Sequence, residues 1–136
     1  MSARIFLDTN VLIYAYASYE PVKQAQALVL LKAPDVWLST QVLIKFANVY
    51  HRKLQTAWPD VETALNELAQ DFNVYKTSST TIAHATRLAH RYDFSWFDAL
   101  IVAAALECGC ETLYSEDLNA GQLIEGTLHV VNPFAV

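Results

Sequence analysis

Five apolar runs of only three or four residues, Ile5 to Leu7, Val36 to Leu38, Asn73 to Tyr75, Thr112 to Tyr114 and Leu128 to Val131, are separated by longer stretches whose apolar residues recur at helical spacing. Runs this short suit strands and cannot make helices. Strands that alternate with helices must be joined by crossovers, which predicts an α/β fold with a central, mainly parallel sheet and helices on both faces. The first helix follows Asp8-Thr9-Asn10 and carries Val11, Leu12, Ala15 and Tyr16; the second runs from Pro21 to about Lys32, before Pro34-Asp35 breaks it. Ser39 or Thr40 caps a third helix with a stripe of Val42, Phe46, Val49 and Tyr50, and Pro59-Asp60 starts a fourth carrying Val61, Leu65, Leu68 and Phe72. A fifth begins near Ser79 with Ile82, Ala85, Ala89 and Tyr92 facing inward. The segment from Trp96 to Leu106 is apolar on every side except at Asp98, which predicts a deeply buried sixth helix ending near Gly109.

With 136 residues and no linker, repeat or low-complexity stretch, the chain reads as a single domain spanning 1–136. Its 54% hydrophobic and 17% charged content excludes disorder and predicts a further buried surface, such as a subunit contact. The longest apolar stretches fall short of the roughly 18 residues of a membrane span. The N-terminus lacks the apolar core and cleavage site of a signal peptide, so a cytoplasmic location is expected. Cys108 and Cys110 flank Gly109 and are expected as free thiols. His51, His84, His90 and His129 show no ligand spacing, and none is assigned to a metal. A net charge of -5 argues against nucleic-acid binding by bulk electrostatics, while leaving room for an acidic site that reaches phosphates through a metal.

In an open parallel sheet, ligands bind beyond the carboxyl ends of the strands. Asp8 and Asp117 each follow an apolar strand at that edge, and Asp98 opens the buried helix before the Thr112 strand. Each acid alone has a structural explanation: Asp8 caps a helix, Ser95 with Asp98 fits a capping box, and Glu116-Asp117 fits a solvated turn. Three carboxylates on one partly buried rim would repel one another, however, and a bound divalent cation with oxygen ligands is the usual remedy. Mg²⁺ or Mn²⁺ held so can polarise a phosphodiester and supply hydroxide for in-line attack.

At these residues the sequence resembles the PIN-domain ribonucleases, specifically the VapC-type toxins of bacterial toxin-antitoxin pairs. The resemblance is carried by Phe6-Leu7-Asp8-Thr9-Asn10-Val11-Leu12, Leu38-Ser39-Thr40-Gln41-Val42-Leu43, Ser95-Trp96-Phe97-Asp98-Ala99-Leu100-Ile101, Tyr114-Ser115-Glu116-Asp117-Leu118 and Asn132-Pro133-Phe134, in that order along nearly the whole chain. It implies a three-layer PIN-like fold and a Mg²⁺-dependent endoribonuclease site with Asp8, Asp98 and Asp117 as metal ligands and water activators. It also implies an RNA substrate, a cognate antitoxin as protein partner and a homodimer.

One position departs from that pattern: Lys45 stands where a glutamate is expected. Helical spacing sets Lys45 on the side of Val42 and Val49, at the edge of the buried stripe, where a solvated lysine beside apolar neighbours is common; the resemblance implies instead that it looks into the pocket and pairs with Asp8, Asp98 or Asp117. A divalent ion about 5 Å from that ammonium would be repelled by several kcal/mol at an effective dielectric of about 20. Metal affinity and catalysis are therefore expected to be impaired. Two other readings stand beside this one. A catalytically degenerate PIN module would bind RNA or a partner protein without cleaving. A haloacid-dehalogenase-like phosphatase would use Asp8 as nucleophile, but Asn10 occupies the place of that motif's second aspartate. His51-Arg52-Lys53 at the end of the third helix, and His84, Arg87 and Arg91 on the fifth, are the two basic clusters available to hold RNA.

Overall fold

The computed structural model describes residues 3–135. Twelve elements follow one another: β1 (Ile5–Leu7), α1 (Thr9–Tyr16), α2 (Pro21–Leu31), β2 (Val36–Ser39), α3 (Thr40–Arg52), α4 (Trp58–Asp71), β3 (Asn73–Tyr75), α5 (Ser79–Tyr92), α6 (Trp96–Glu107), β4 (Thr112–Tyr114), β5 (Leu123–Ile124) and β6 (Leu128–Val131). The strands form one sheet in the order β3-β2-β1-β4-β6-β5. All neighbours are parallel except β5 and β6.

This order decides where ligands bind. From β1 the chain moves outward through β2 to β3, then crosses back to enter β4 on the other side of β1. Because such crossovers are right-handed, α1 to α4 cover one face and α5 and α6 the other. The reversal leaves a crevice between the carboxyl ends of β1 and β4, the switch point at which doubly wound sheets hold their ligands. Phe6↔Leu113 and Leu7↔Tyr114 set the register there, so Asp8 emerges opposite Ser115.

The core is built around α6, whose residues Ala99 to Ala105 are all buried. Small residues at four of these positions let the helix lie close to the sheet. Gly109, at φ +75°, closes it: the Gly109 N–H bonds the Leu106 carbonyl and the Cys110 N–H the Ala105 carbonyl, the two bonds of a Schellman cap. Cys108 and Cys110 behind it are buried free thiols.

Two expectations need correction. The inward stripe of α5 is Thr81, Ala85 and Leu88, while Ile82 is 43% exposed. Thr81 is buried because its hydroxyl is satisfied, donating to Glu107 at 2.6 Å and meeting the Ser78 cap. Burial of α6 begins only at Ala99; Trp96 and Phe97, in its first turn, are exposed. The sheet is mainly parallel, as expected; its edge strand β5 pairs antiparallel with β6 across Glu125, Gly126 and Thr127, where φ is positive at Glu125 and Gly126, as in a type I′ turn, and the Thr127 N–H bonds the Ile124 carbonyl.

Candidate active site at the sheet switch point

Asp8 caps α1 with an extended backbone, and its Oδ1 accepts from the Thr9 N–H at 2.6 Å. Its other oxygen, Oδ2, accepts from the Ser115 hydroxyl at 2.7 Å. Ser115 Oγ in turn accepts from the backbone N–H groups of Asp117 and Leu118, at 3.1 and 3.3 Å. One hydroxyl thus joins the acid after β1 to the loop that carries the acid after β4. Asp8 is 1% exposed. Burial pushes its pKa up; the bonds from Ser115 and Thr9 and the charge of Lys45 pull it down, Asp117 pushes it up, and burial prevails.

Beside this pair lies a cleft of about 260 Å³ whose wall includes Thr9, Asn10, Tyr14, Lys45, Glu116 and Asp117. Glu116 is held by Lys23 of α2 and by the Tyr14 hydroxyl at 2.9 Å. Burial would raise its pKa, but these two partners outweigh it and keep the carboxylate ionised. Thr9 Oγ1 and both polar atoms of the Asn10 amide are buried in this wall without a hydrogen-bond partner. Buried polar groups in that state are uncommon, and an ordered water, an ion or a ligand is the usual partner.

The acids and cations named from sequence are placed unevenly. Asp8 and Asp117 come together through Ser115. Asp98 is half-buried in the first turn of α6, where its N–H donates to Ser95 Oγ at 3.3 Å, half of the expected capping box; it belongs neither to the Ser115 set nor to the cleft wall. Lys45 does line the cleft and acts on Asp8 by its charge. The expected ion pair does not form: the salt bridges among the described residues are Arg4–Asp35, Lys23–Glu116, His84–Glu107 and Arg91–Glu125. The basic cluster of α5 is likewise engaged elsewhere, His84 with Glu107 and Arg91 with Glu125. Lys53, named in a basic cluster, lines the cleft, whereas the roles of Ser115, Tyr14 and Lys23 escaped the sequence reading. Only Ser115 left a trace there, as a serine two residues before an aspartate, a spacing at which a hydroxyl can accept that aspartate's N–H.

A hard divalent cation needs several oxygen donors within one coordination sphere. Among the described residues no three His, Cys, Asp or Glu side chains are grouped to hold one, and the cleft wall carries the ammonium groups of Lys45 and Lys53. As the chain stands, its donor set does not fit Mg²⁺ or Mn²⁺.

The PIN domain family profile matches residues 5–123. No curated protein sequence matches the chain. Among solved structures, the Mycobacterium tuberculosis toxin VapC20, which cleaves the sarcin-ricin loop, is similar at 21% identity and a TM-score of 0.70 over 83% of this chain and 89% of that one. A toxin-antitoxin complex from Klebsiella pneumoniae gives 23% identity and 0.70 over 97% and 99%. VapBC2 from Rickettsia felis, bound to a DNA fragment from its promoter, gives 16% and 0.67 over 95% and 99%.

Proposed function

The chain belongs to the PIN-domain family, and from that membership we propose that it is the ribonuclease toxin of a toxin-antitoxin pair, attenuated by Lys45. The observation that carries this reading is the coupling of Asp8 to the Asp117 loop through Ser115, beside a cleft at the switch point of the sheet. The acidic set of this reading is Asp8 and Asp117 beside the cleft, with Asp98, which stands outside the cleft wall, as its third member; RNA phosphodiesters in the cytoplasm are the substrate. Mg²⁺ or Mn²⁺ serves the competent form. With lysine at the fourth acidic place, the chain keeps the scaffold and loses the charge balance that a cation requires.

Two protein partners belong to the proposal, an antitoxin and a second copy of the chain. What supports them is the apolar surface of α2 and the turn before it. Tyr19, Val22 and Val29 are 59%, 72% and 70% exposed, whereas Ala27 alone in that helix is buried. Exposed apolar residues grouped in this way mark protein interfaces. Among the described residues no helix is long and apolar enough to cross a membrane.

The test is cleavage of a structured RNA in Mg²⁺ by the chain and by its Lys45→Glu variant. Restoration of the carboxylate is expected to raise the rate by about tenfold or more, the size of effect seen when one charged group of a catalytic site is lost. Equal rates in the two forms would remove Lys45 from the account, and cleavage by neither would leave a PIN module that binds without cutting.

A further inference from the structure

Three recesses run along α3 and share their walls. The cleft described above includes Lys45, Val49 and Lys53. A groove of about 460 Å³ is lined by Gln41, Ile44, Lys45, Asn48, Val49 and Phe97. A third recess, of about 420 Å³, is lined by Asn48, Val49, Arg52 and Lys53. At about 100° per residue, positions 41, 45, 48, 49 and 52 fall on one face of the helix, so the three recesses form a continuous track.

The track carries three of the nine Lys and Arg residues of a chain whose net charge is -5. None of the three enters an ion pair among the described residues. Arg52, in the last turn, also complements the helix dipole. Lys45 lies mid-helix, where no dipole end asks for a cation. Of the acids on the wall, Glu116 is neutralised by Lys23, which leaves Asp117. At the other end of the track the ring of Phe97 is 58% exposed beside Ile44, at 65%. Seven residues of helix separate Lys45 from Arg52, a rise of about 10 Å, which spans about three nucleotides of a stacked strand.

Resting on the ribonuclease reading, we propose that this face of α3 binds single-stranded RNA without a metal: Lys45 at one end and Arg52 with Lys53 at the other contact phosphates about three nucleotides apart, and an unpaired base stacks on Phe97. Cations in a row with an exposed aromatic ring match single-stranded nucleic acid, because a stacked base must be free of its partner. Lys45 thereby binds phosphate directly where the family pattern has a carboxylate.

The experiment is fluorescence anisotropy of a labelled single-stranded RNA of about 12 nucleotides in EDTA. Binding is expected to weaken steeply as salt rises from about 50 to about 200 mM. Arg52→Glu, Lys53→Glu and Phe97→Ala are each expected to raise Kd by about tenfold. Lys32→Glu, exposed in the turn that precedes β2 and so at the amino end of the sheet, should leave Kd unchanged. A Kd indifferent to the three track substitutions, an equal loss from Lys32→Glu, or equally strong displacement of the RNA by poly-glutamate overturns the proposal. Cleavage separates this from the enzymatic reading. In the Lys45→Glu background with Mg²⁺, Arg52→Glu should raise KM and spare kcat. Unchanged KM defeats the track and leaves the ribonuclease standing; track-dependent binding with no cleavage in any form does the reverse.

Discussion

The Ser115 hydroxyl donates to Asp8 Oδ2 at 2.7 Å across 107 residues of sequence, and with the same oxygen accepts the N–H groups of Asp117 and Leu118. The two acids are therefore not independent: the loop after β4 is positioned by the residue that also steadies the carboxylate after β1. Ser115→Ala leaves one carboxylate oxygen and two N–H groups without their partner. The expected loss is about 1–3 kcal/mol in denaturant unfolding, the cost of unsatisfied buried groups. Because this bond is the largest influence holding the Asp8 pKa down, its removal should also raise that pKa further. Wild-type stability in the variant would show that the Asp117 loop is held by other means.

Asp8 itself should make the fold less stable as the pH rises. Its folded pKa lies above the ordinary value of 3.8, so between those two values the folded chain binds more protons than the unfolded one, and stability falls with rising pH. Asp8→Asn does not titrate. The stability of that variant relative to wild type is expected to improve as the pH climbs through this window and then level off, in thermal melts from acid to neutral pH. A difference that runs the other way would mean that the hydrogen bonds to Asp8 outweigh its burial.

How far such a site can be read in advance differs from residue to residue. Asp8 was legible because a three-residue apolar run can only be a strand, and a strand followed by a helix in a parallel sheet places the next residue on the ligand-binding edge. The core of α6 was legible from its unbroken apolar content. Its first turn was not, since hydrophobicity alone cannot tell that Trp96 and Phe97 are left exposed. Thr81 was overlooked for Ile82 because apolar counts miss a hydroxyl that is buried with its partners in place. The two residues of β5 carry too little pattern to register as a strand, and the bond between Ser115 and Asp8 depends on the pairing of β1 with β4, which no local spacing encodes.

The exposed apolar face of α2 makes a separate claim. Val22→Glu and Val29→Glu each place a charge on a surface that the proposed dimer or antitoxin must cover, while touching nothing buried. Each is expected to lower self-association or antitoxin binding by about tenfold or more, as when a charge is forced into an apolar contact, with the melting temperature unaltered. Sedimentation of the chain alone and with its partner reads both. Unaltered association in both variants would move the interface off this helix.

The most direct test of the account concerns Lys45 and the cation it displaces. Mn²⁺ titrated into the chain and into its Lys45→Glu variant can be followed by the loss of the free-ion paramagnetic resonance signal, without any need for turnover. The expected result is no saturable binding to the chain and a single site in the variant. At an effective dielectric of about 20, the change of two charge units about 5 Å from a divalent ion is worth about 13 kcal/mol before screening and relaxation; a remainder of only about 3 kcal/mol is already a factor of about a hundred in affinity. Equal Mn²⁺ affinity in the two forms, or a site in the chain that Lys45→Glu leaves untouched, would contradict the claim that this lysine is what separates the chain from a competent nuclease.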